Sequence, residues 1–596
     1  MSSQVTLKID SISVSVKQGT SLLDAARSIN IKIPTLCHHE DLCVAGNCRV
    51  CVVEQTGSDR LLPACAIPAS DGMEIHTNSM KVRSSRKQIL ELLVSEHRAE
   101  CTTCYKSGNC ELQELSHEYI LGENAFINLV PFKEYTIDYY SPSIIKDDSK
   151  CIRCQRCVRT CDQLQNIGAL TVSKKGSEMK ISTFFEKPIY QVVCTNCGQC
   201  VNRCPTGALT EKNYVEEVWS AINDVKKYVV VQTAPAVRIA LGEALGVDPG
   251  EIVTGKMVAA LRRLGFNSVL DTDFTADLTI IEEGHELLQR LKKALKEKDK
   301  NVRLPMTTSC SPGWIKFIEH IFPDFLPNLS SAKSPQQMFG ALAKTFFANK
   351  IGVDPASMVS VSVMPCTAKK FEANRPEMFS SGYQDVDYVL TTRELALMIK
   401  QAGIDFKSLA DDTYDSIMGE SSGAAVIFGA TGGVMEAALR TVYEVVTGRE
   451  VPFEGLNITP VRGMEGVREA TVKIEKTLPE WDFLEGVEVK TCVAHGLANA
   501  KKVMESVKDG SANYHFIEIM ACPGGCLGGG GQPIPTSPEI RKVRSSAIYR
   551  EDTHKTIRKS HENPEVVKVY KEFLGEPLGH ESHRLLHTHY TPRERY

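Results

Sequence analysis

Two repeats of one cysteine spacing constrain this chain more than any other feature of its sequence. The spacing C-x2-C-x2-C-x3-C occurs twice, and its members are Cys151, Cys154, Cys157, Cys161, Cys194, Cys197, Cys200 and Cys204. Paired runs of this kind bind two four-iron clusters, and each run lends its fourth cysteine to the cluster of the other run. The expected ligand sets are therefore Cys151, Cys154, Cys157 and Cys204 for one cluster, and Cys194, Cys197, Cys200 and Cys161 for the second.

Clusters held by four thiolates leave no coordination position for a substrate, so their expected function is to carry electrons. Cysteines are concentrated in this part of the chain, since only five of the 21 follow Cys204. The N-terminal sequence has no secretory signal, and a reducing cytosol would not maintain disulfides, so clustered thiols indicate metal. We expect the N-terminal third to be an electron-transfer chain in a cytoplasmic protein.

The overall charge and hydropathy pattern excludes several other functions. The 69 Lys and Arg residues nearly balance the 73 Asp and Glu residues, and the formal charge is −4. No basic surface for nucleic acid is expected from such a composition. The longest apolar runs are shorter than the roughly 20 residues of a membrane-spanning helix, so no membrane span is expected. No glycine-rich nucleotide loop stands out, which assigns any nucleotide chemistry to another subunit.

Two further ligand groups precede the repeats. Residues 1–80 predict a small β-rich domain, because VTLKID and SISVSV alternate and SLLDAARSIN has helical spacing. Its thiols suit a two-iron cluster, but spacing alone leaves open whether Cys37 or Cys43 joins the other three, Cys48, Cys51 and Cys65. The charged helical segment KVRSSRKQILELLVSEH leads to a second group, which could hold zinc or a four-iron cluster. Its members are His97, Cys101, Cys104 and Cys110.

Resemblance to known proteins chooses between these alternatives. The segment IPTLCHHEDLCVAGNCRVCVVE resembles the ferredoxin-like domain of respiratory complex I, where the position of Cys43 is commonly not cysteine. This resemblance implies that Cys37 is the fourth ligand of the two-iron cluster. The H-x3-C-x2-C-x5-C pattern also follows that domain in complex I and in hydrogenases, which implies a four-iron cluster on the group containing His97. Cys43 and Cys492 have no assigned ligand role, and we expect both to be buried as small hydrophobic residues.

From about Tyr214 the sequence alternates between strands and helices. KKYVVVQTAPAV, NSVLDTD and SMVSVSVMPC predict buried strands, whereas MVAALRRLG and GHELLQRLKKALKEKDK predict helices. This alternation predicts mostly parallel sheets whose strand ends carry the site. Cysteines adjoin Pro or Gly in VMPCTAKKFE and MACPGGCLGGGGQP, and a further cysteine lies in TTSCSPGW. Backbone can approach a bulky inorganic ligand closely at such positions, so these motifs suit one buried cluster.

These motifs, together with FGATGGVMEAALR, resemble the signature segments of the catalytic domain of iron-only (di-iron) hydrogenases. The order of the N-terminal cluster domains is similar to that of the larger members of the family. The resemblance implies reversible oxidation of H2 to protons at an H-cluster. That group is a four-iron cubane joined through one cysteine to a di-iron unit that carries CO, cyanide and an azadithiolate bridge. By position, the implied cubane ligands are Cys366, Cys522 and Cys526, with Cys526 shared with the di-iron unit.

One position departs from the family pattern. Family members commonly have two adjacent cysteines, a proton carrier followed by a cubane ligand, where this chain has Cys310 and Ser311. An alignment without a gap makes Cys310 the proton carrier and Ser311 the cubane ligand. A slipped loop would instead make Cys310 the ligand and remove the proton carrier. The sequence supports both alternatives equally.

The resemblance also implies roles for residues around the H-cluster. Lys369 is expected to donate a hydrogen bond to a cyanide. The expected pocket residues are Ala234, Pro235, Gln336, Met364 and Met520. The expected proton relay consists of Cys310, Glu283, Ser330, Glu286 and Arg290. Helical spacing in IIEEGHELLQR places the two glutamates and the arginine on one face, as an outward-reaching relay requires.

Taken together, the sequence predicts a multidomain α/β and α+β protein. The expected domains are an N-terminal β-grasp ferredoxin-like domain (1–80), a four-iron domain with one histidine and three cysteine ligands (81–140), a two-cluster bacterial ferredoxin domain (141–212), a two-lobed α/β H-cluster domain (213–535) and a helical C-terminal wrap (536–596). The expected cofactors are one two-iron cluster, three accessory four-iron clusters and the H-cluster. The wrap contains four histidines that resemble a metal site in composition only, namely His580, His583, His587 and His589.

The complex-I-like front end indicates electron-transfer partners. The expected partners are ferredoxin, a flavin- and NAD(P)-binding subunit and a thioredoxin-like iron–sulfur subunit. The alternative function, motivated by Ser311, is a hydrogenase-like H2 sensor or an iron–sulfur assembly protein with little turnover.

Overall fold

The computed structural model describes residues 3–122, 126 and 135–595, and the chain divides into two compact units. Unit 1 comprises Met1–Leu164, Gly168–Ile189 and Arg203–Thr210. Unit 2 comprises Gln165–Ile167, Tyr190–Asn202 and Glu211–Tyr596. Part of the domain predicted at 81–140, namely 123–125 and 127–134, lies outside the described residues.

Unit 1 begins with a five-stranded sheet in the order β2-β1-β5-β3-β4. Strand β1 pairs antiparallel with β2 and parallel with β5, and β3 is antiparallel to both β4 and β5. The alternating sequence points one face of β1 inward, so Leu7 and Ile9 are buried against helix α1. The bounds are β1 Gln4–Ile9, β2 Ile12–Lys17, α1 Leu22–Arg27, β3 Val52–Gln55, β4 Leu61–Pro63 and β5 Glu74–His76.

The rest of unit 1 consists of short elements around cysteine-rich loops. Ser79 caps the predicted helix α2 by accepting a hydrogen bond from the Val82 N–H, 3.2 Å away. Arg156 donates two hydrogen bonds to the carboxylate of Glu111, at 2.6 and 2.8 Å, which ties helix α4 to helix α3. The bounds are α2 Met80–Ser95, α3 Glu111–Glu118, β6 Ile137–Asp138, β7 Ile144–Asp147, α4 Arg156–Arg159, β8 Thr171–Ser173, β9 Lys180–Ser182 and β10 Leu209–Glu211.

Unit 2 is built on two four-stranded sheets. The first has the order β12-β11-β14-β15 and is entirely parallel. Every residue of β14 is buried, as the continuous apolar run predicts for a parallel strand covered on both faces. The second has the order β13-β18-β17-β16, in which only the β16–β17 pair is antiparallel. The strand bounds are β11 Tyr228–Thr233, β12 Ser268–Asp271, β13 Met306–Thr307, β14 Met358–Met364, β15 Tyr388–Thr391, β16 Val467–Lys473, β17 Glu488–His495 and β18 Phe516–Met520.

Helices cover the two sheets. The 20-residue helix α8 is buried along most of its length and packs against α10 and α15. The bounds are α5 Gln199–Arg203, α6 Val215–Asn223, α7 Thr254–Leu264, α8 Thr272–Leu291, α9 Pro312–Ile321, α10 Pro335–Leu342, α11 Ala348–Ile351, α12 Ala368–Ala373, α13 Thr392–Gln401, α14 Gly423–Val426, α15 Gly433–Thr447 and α16 Leu497–Lys508. Among the described residues, none of the helices has the length and hydrophobicity needed to cross a membrane.

The C-terminal segment is helical and packs on unit 2. Its helices are α17 Pro538–His554, α18 Pro564–Val569 and α19 His580–Leu586. Buried Arg440 of α15 donates to both oxygens of Asp552 in α17, at 3.0 and 2.9 Å. Helix α18 contacts α8, and α19 contacts α10. The segment therefore forms part of the same hydrophobic and polar core as the helices around the sheets.

Two cysteines expected to be buried behave differently. Cys492 is fully buried within β17, as predicted. The expectation for Cys43 is wrong, because its side chain is exposed. Cys43 lies in an irregular loop beside Val44, whose side chain is also exposed, so no hydrophobic layer covers this position.

Candidate active site

Unit 2 contains a largely apolar cavity. Its wall contains every residue that the sequence predicts to bind or surround the H-cluster. These residues are Ala234, Pro235, Cys310, Ser311, Gln336, Met364, Cys366, Lys369, Met520, Cys522 and Cys526.

Parallel strands explain why distant segments meet at this cavity. Strands β11 and β14 belong to one sheet and end immediately before Ala234 and Pro365, whereas β18 of the other sheet ends immediately before Ala521. The loop after β13 carries Cys310 and Ser311 to the same place. The carboxyl ends of parallel strands form an edge where α/β proteins bind ligands. Here two such edges supply the walls of one cavity.

The donor set fits an iron–sulfur cubane. Three thiols, from Cys366, Cys522 and Cys526, converge on a largely apolar cavity. Burial raises the pKa of the Cys366 thiol, while the charge of Lys369 and the N–H groups of Ala368 and Lys369 oppose that rise. These groups would stabilise a thiolate bound to metal.

Cys310 and Ser311 both line the cavity but have different neighbours. Burial raises the pKa of Cys310 well above its ordinary value, and the nearby carboxyl of Glu283 raises it further. The charges of Lys369 and Cys526 also act on the Cys310 thiol. The hydroxyl of Ser311 accepts a hydrogen bond from the N–H of Ala521, 3.2 Å away. Cys310 thus lies between the cavity and a buried carboxyl, and Ser311 lies beside the segment that carries Cys522.

Lys369 lies in the first turn of helix α12, three residues after Cys366. Its ammonium donates to the Glu372 carboxylate at 2.9 Å and to the Cys310 carbonyl at 3.2 Å. Glu372 also accepts from Gln336 Nε2 at 3.1 Å and from Ser334 Oγ at 2.9 Å. Sequence reasoning did not identify Glu372, although its spacing of three residues from Lys369 in a helix is a signal for such a pair.

A chain of polar side chains leads away from Cys310 along α8. Glu283 accepts a hydrogen bond from Ser309 Oγ at 3.2 Å, and Ser330 is a further neighbour of its carboxyl group. Ser330 Oγ donates to Glu286 at 3.2 Å, and Arg290 Nη2 donates to the other oxygen of Glu286 at 2.5 Å. Burial raises the pKa of Glu283 to about 7. The structure therefore brings the predicted relay residues together, and it adds Ser309, which the sequence analysis did not single out.

The second cysteine repeat reaches the wall of the same cavity. Cys197 lines the cavity, and Gln165 Nε2 lies 3.6 Å from its sulfur. Gly198 follows with a φ of +67°, and a Cβ at this position would lie 2.3 Å from Thr367 Oγ1. Only glycine fits this approach of the cysteine loop to the segment that carries Cys366. The sulfur of Cys197 therefore belongs to a residue that lines the same cavity as Cys366.

The thiols of unit 1 form three groups. In the first, the sulfur of Cys37 contacts those of Cys48 and Cys65, and Cys51 contacts Cys65. The N–H of Cys48 points at the Cys37 sulfur from 3.5 Å, as expected for a loop that surrounds a cluster. Exposed Cys43 belongs to none of these contacts in the described residues.

The second and third groups also converge. The thiols of Cys104 and Cys110 are neighbours, and a Cβ at Gly207 would lie 2.8 Å from the Cys104 sulfur. The imidazole of His97 hydrogen-bonds to the Lys150 carbonyl, and its buried Nδ1 has no hydrogen-bond partner among the described residues. An imidazole fixed in this way presents a free nitrogen to a metal.

A separate cavity brings the two cysteine repeats together. It is lined by the first three cysteines of the first repeat and the last of the second, namely Cys151, Cys154, Cys157 and Cys204.

Comparisons with known proteins identify the family. Residues 227–530 match the family described as "Iron only hydrogenase large subunit, C-terminal domain", and residues 538–593 match "Iron hydrogenase small subunit". The chain belongs to the iron-only hydrogenase family. Upstream, residues 2–80 match a 2Fe-2S iron-sulfur cluster binding domain, 86–124 the NADH-ubiquinone oxidoreductase-G iron-sulfur binding region, and 141–210 the ferredoxin-like domain of NADH-quinone oxidoreductase subunit 3.

Two relatives match nearly the whole length of this chain. The chain is 50% identical over all of its length, and all of the relative's, to the NADP-reducing hydrogenase subunit HndD of Solidesulfovibrio fructosivorans. It is 40% identical to iron hydrogenase 1 of Clostridium pasteurianum, over 98% of this chain and 99% of that one. A solved structure of a variant of apo [FeFe]-hydrogenase HydA1 from Chlamydomonas reinhardtii matches 64% of this chain and 100% of its own, with 43% identity and a TM-score of 0.58.

These relatives support an enzyme rather than the sensor or assembly alternative. This hydrogenase catalyses the reversible oxidation of H2 to protons at an H-cluster, and it carries iron–sulfur clusters in its N-terminal domains.

Proposed function

We propose that the cavity of unit 2 holds the H-cluster on the thiolates of Cys366, Cys522 and Cys526, with Ser311 at the fourth cubane iron. When bound, this group supplies an open metal position and a pendant base for splitting H2. The three buried thiols support the ligand assignment. Lys369, held between Glu372 and the Cys310 carbonyl, is the proposed donor to a cyanide. The apolar wall, which includes Pro235 and Met520, would exclude water from the site.

The proposed role of Cys310 is to carry protons between the bridge amine and Glu283. The observation that carries this assignment is the row of polar side chains behind Cys310. Ser330 is a neighbour of Glu283 and donates to Glu286, which also accepts from Arg290, whose side chain is partly exposed. A carboxyl whose pKa is about 7 can both accept and release a proton near neutral pH. The oxidation of each H2 releases two protons, and this chain gives them an exit from the buried site.

Replacing Glu283 by glutamine tests the relay. Glu283→Gln keeps the shape and hydrogen bonds of the side chain but cannot carry a proton. We expect the H-cluster to assemble normally and turnover to fall by about 10²- to 10⁴-fold, the range expected when a positioned proton-transfer group is lost. Infrared bands of CO and cyanide check assembly, and H2 evolution measures turnover. Wild-type turnover in this variant would contradict the relay.

The electron-transfer part of the proposal assigns four accessory clusters. The proposed clusters are a two-iron cluster on Cys37, Cys48, Cys51 and Cys65, and four-iron clusters on His97, Cys101, Cys104 and Cys110, on Cys151, Cys154, Cys157 and Cys204, and on Cys194, Cys197, Cys200 and Cys161. The thiol contacts described above support the first group, and the shared cavity supports the third. We also propose the domain limits 1–80, 81–140, 141–212, 213–535 and 536–596.

The proposed electron partners are ferredoxin, a flavin subunit that binds NAD(P) and a thioredoxin-like iron–sulfur subunit, in the cytoplasm. Two findings support this proposal: the full-length relative described as NADP-reducing, and the match to NADH-quinone oxidoreductase domains. Purification of the enzyme from its native cell tests it, and copurification of flavin and NAD(P)-dependent H2 turnover is expected. A stable lone chain with full ferredoxin-linked turnover would contradict the multi-subunit form.

A further inference from the structure

Glu286 has polar neighbours that the relay to Arg290 does not use. The same oxygen that accepts from Ser330 also accepts from the N–H of Ser331 at 3.0 Å and from Ser331 Oγ at 3.1 Å. On its other side, Ser331 Oγ lies 2.8 Å from Nδ1 of His587, a residue of the C-terminal segment. A hydrogen-bonded path therefore connects the relay carboxyl to a buried imidazole.

The second nitrogen of this imidazole faces a buried carboxylate. His587 Nε2 lies 3.0 Å from Glu282, which also accepts hydrogen bonds from Tyr570 and Ser582 and, at 3.0 Å, from the N–H of Leu578. Burial alone would favour the neutral acid, but the hydrogen bonds from His587, Ser582 and Tyr570 lower the pKa of Glu282. The carboxylate can therefore stabilise a positive charge on the ring.

The backbone holds the ring in this position. His587 pairs with Ala332 in an antiparallel bridge, flanked by hydrogen bonds from Thr588 N–H to the Ser331 carbonyl at 2.8 Å and from Lys333 N–H to the Leu586 carbonyl at 2.7 Å. The side chain of His587 is only 1% exposed. The imidazole is thus fixed between the two carboxyls rather than placed on the surface.

The chemistry of the relay requires an acceptor of this kind. Arginine stays protonated in proteins, so Arg290 can orient Glu286 and can open toward solvent but cannot receive a proton. Histidine is the side chain whose ordinary pKa lies nearest to neutrality. Among the described residues within hydrogen-bond distance of Glu286 or Ser331, the imidazole of His587 is the group that can act as a base.

We propose that His587 is a branch of the proton relay that takes a proton from Glu286 through Ser331 and holds it against Glu282. In this step the carboxylic acid of Glu286 gives its proton to Ser331 Oγ, and the hydroxyl proton of Ser331 passes to Nδ1 of His587. Glu286 becomes a carboxylate and His587 becomes an imidazolium paired with Glu282. No electron moves and no other reactant is needed. The branch rests on the proposed relay through Glu283 and Glu286.

Groups from several elements surround the His587 ring and affect whether it can hold a positive charge. Glu282 of α8 and Ser331 of the loop before α10 face the ring directly. The exposed ring of His583 stacks on His587 with centroids 4.5 Å apart and an angle of 16°. Partial burial lowers the pKa of His583, and the charges of His587 and exposed His589 lower it further. A proton held on His587 therefore has a carboxylate on one side and titratable imidazoles nearby.

Two variants of the intact enzyme test the branch. His587→Gln keeps a polar side chain that does not titrate, and Ser331→Ala removes the bridging hydroxyl but leaves the imidazole. His580→Gln is the matched control, since His580 begins helix α19, which ends one residue before His587, and its side chain is 90% exposed. In both test variants we expect turnover to fall by about twofold to tenfold, less than the loss of 10²-fold or more expected for Glu283→Gln. The control should match the wild type.

The pH profile and an infrared signal distinguish proton transfer from a structural effect. The pH profile of H2 turnover in His587→Gln should differ from that of the wild type, and the profile of Ser331→Ala should change in the same direction to a smaller extent. The H/D-sensitive carboxylic acid band of Glu286 should persist longer after H2 exposure in both variants. Unchanged rates, profiles and bands in both would overturn the branch while leaving Glu283→Gln inactive. Wild-type turnover in Glu283→Gln would overturn the main relay and the branch with it.

Discussion

The thiols of unit 1 and the thiols of the unit 2 cavity differ in how the chain brings them together. In unit 1, Cys37, Cys48 and Cys51 come from the loop between α1 and β3, Cys65 comes from the turn after β4, and their sulfurs contact one another. In the cavity, Cys366 and Cys526 are separated by several strands and helices and meet because two sheets end at one place. Ligand spacing therefore limits the first kind of site to a few candidate thiols, whereas the second kind requires knowledge of the fold.

The two regions also differ in what surrounds the thiols. Backbone N–H groups of Asn47 and Cys48 face the Cys37 sulfur, which suits a cluster that only exchanges electrons. Around the cavity, Lys369 and the buried carboxyls of Glu283 and Glu518 act on Cys310. Charged groups that exchange protons are expected where protons and electrons separate, so the difference follows from the two functions.

The largest expected effect on turnover comes from substitutions at Cys310 and Ser311. These residues test the cavity at the position where sequence spacing does not decide which residue is the ligand. Cys310→Ala should leave the H-cluster assembled but abolish most turnover, because no other thiol lies between the bridge amine and Glu283 in the proposed path. Ser311→Ala should alter the cubane rather than the relay. Infrared bands and iron content are the measurements for both variants. Loss of the H-cluster in Cys310→Ala, with normal Ser311→Ala, would instead favour ligation by Cys310.

Cys37 and Cys43 sharpen the comparison in unit 1, where spacing leaves a choice. Cys37→Ala should remove the two-iron signal from the electron paramagnetic resonance spectrum of the reduced enzyme, since Cys37 is buried among the other three thiols. Cys43→Ala is the matched control, because its exposed side chain should be replaceable without effect. Loss of the signal in the Cys43 variant alone would show that the plant-type spacing was the correct one.

The smallest expected effect concerns how the stability of the catalytic domain depends on pH. Burial raises the pKa of Glu283 from 4.5 to about 7 in the folded protein. The unfolded chain therefore loses this proton first, and the associated stability is present below about pH 4.5 and lost as the pH rises toward 7. The full loss is about 3 kcal/mol. Glu283→Gln should thus raise the unfolding temperature of the catalytic domain more at pH 8 than at pH 5. An equal change at both pH values would contradict this account.

Much of the architecture could be predicted from local sequence patterns. Alternation predicted β1 and β2, and the continuous apolar run predicted the fully buried β14. The helix containing Glu283, Glu286 and Arg290 followed from its spacing, although α8 begins earlier, at Thr272. These features depend on residues close together in the chain, so the sequence contains the necessary information.

The rest depends on contacts between distant segments. Glu372 and Lys369 share a helix, but Gln336, which also bonds to Glu372, arrives from another element. His587 reaches Glu282 across about half the length of the chain, and no spacing rule connects them. The exposure of Cys43 also could not be predicted, because the residue type alone does not distinguish a buried cysteine from one in an exposed loop. Such features follow from tertiary packing alone.

Infrared spectroscopy of the matured enzyme and of Cys526→Ala tests the central claim most directly, with Cys492→Ala as the control. Cys526 lines the cavity, whereas Cys492 is buried in β17 away from its wall. The account predicts CO and cyanide bands in the wild type and in Cys492→Ala, and their complete loss in Cys526→Ala. Bands of wild-type position and intensity in Cys526→Ala would contradict the proposal that this cavity holds the H-cluster.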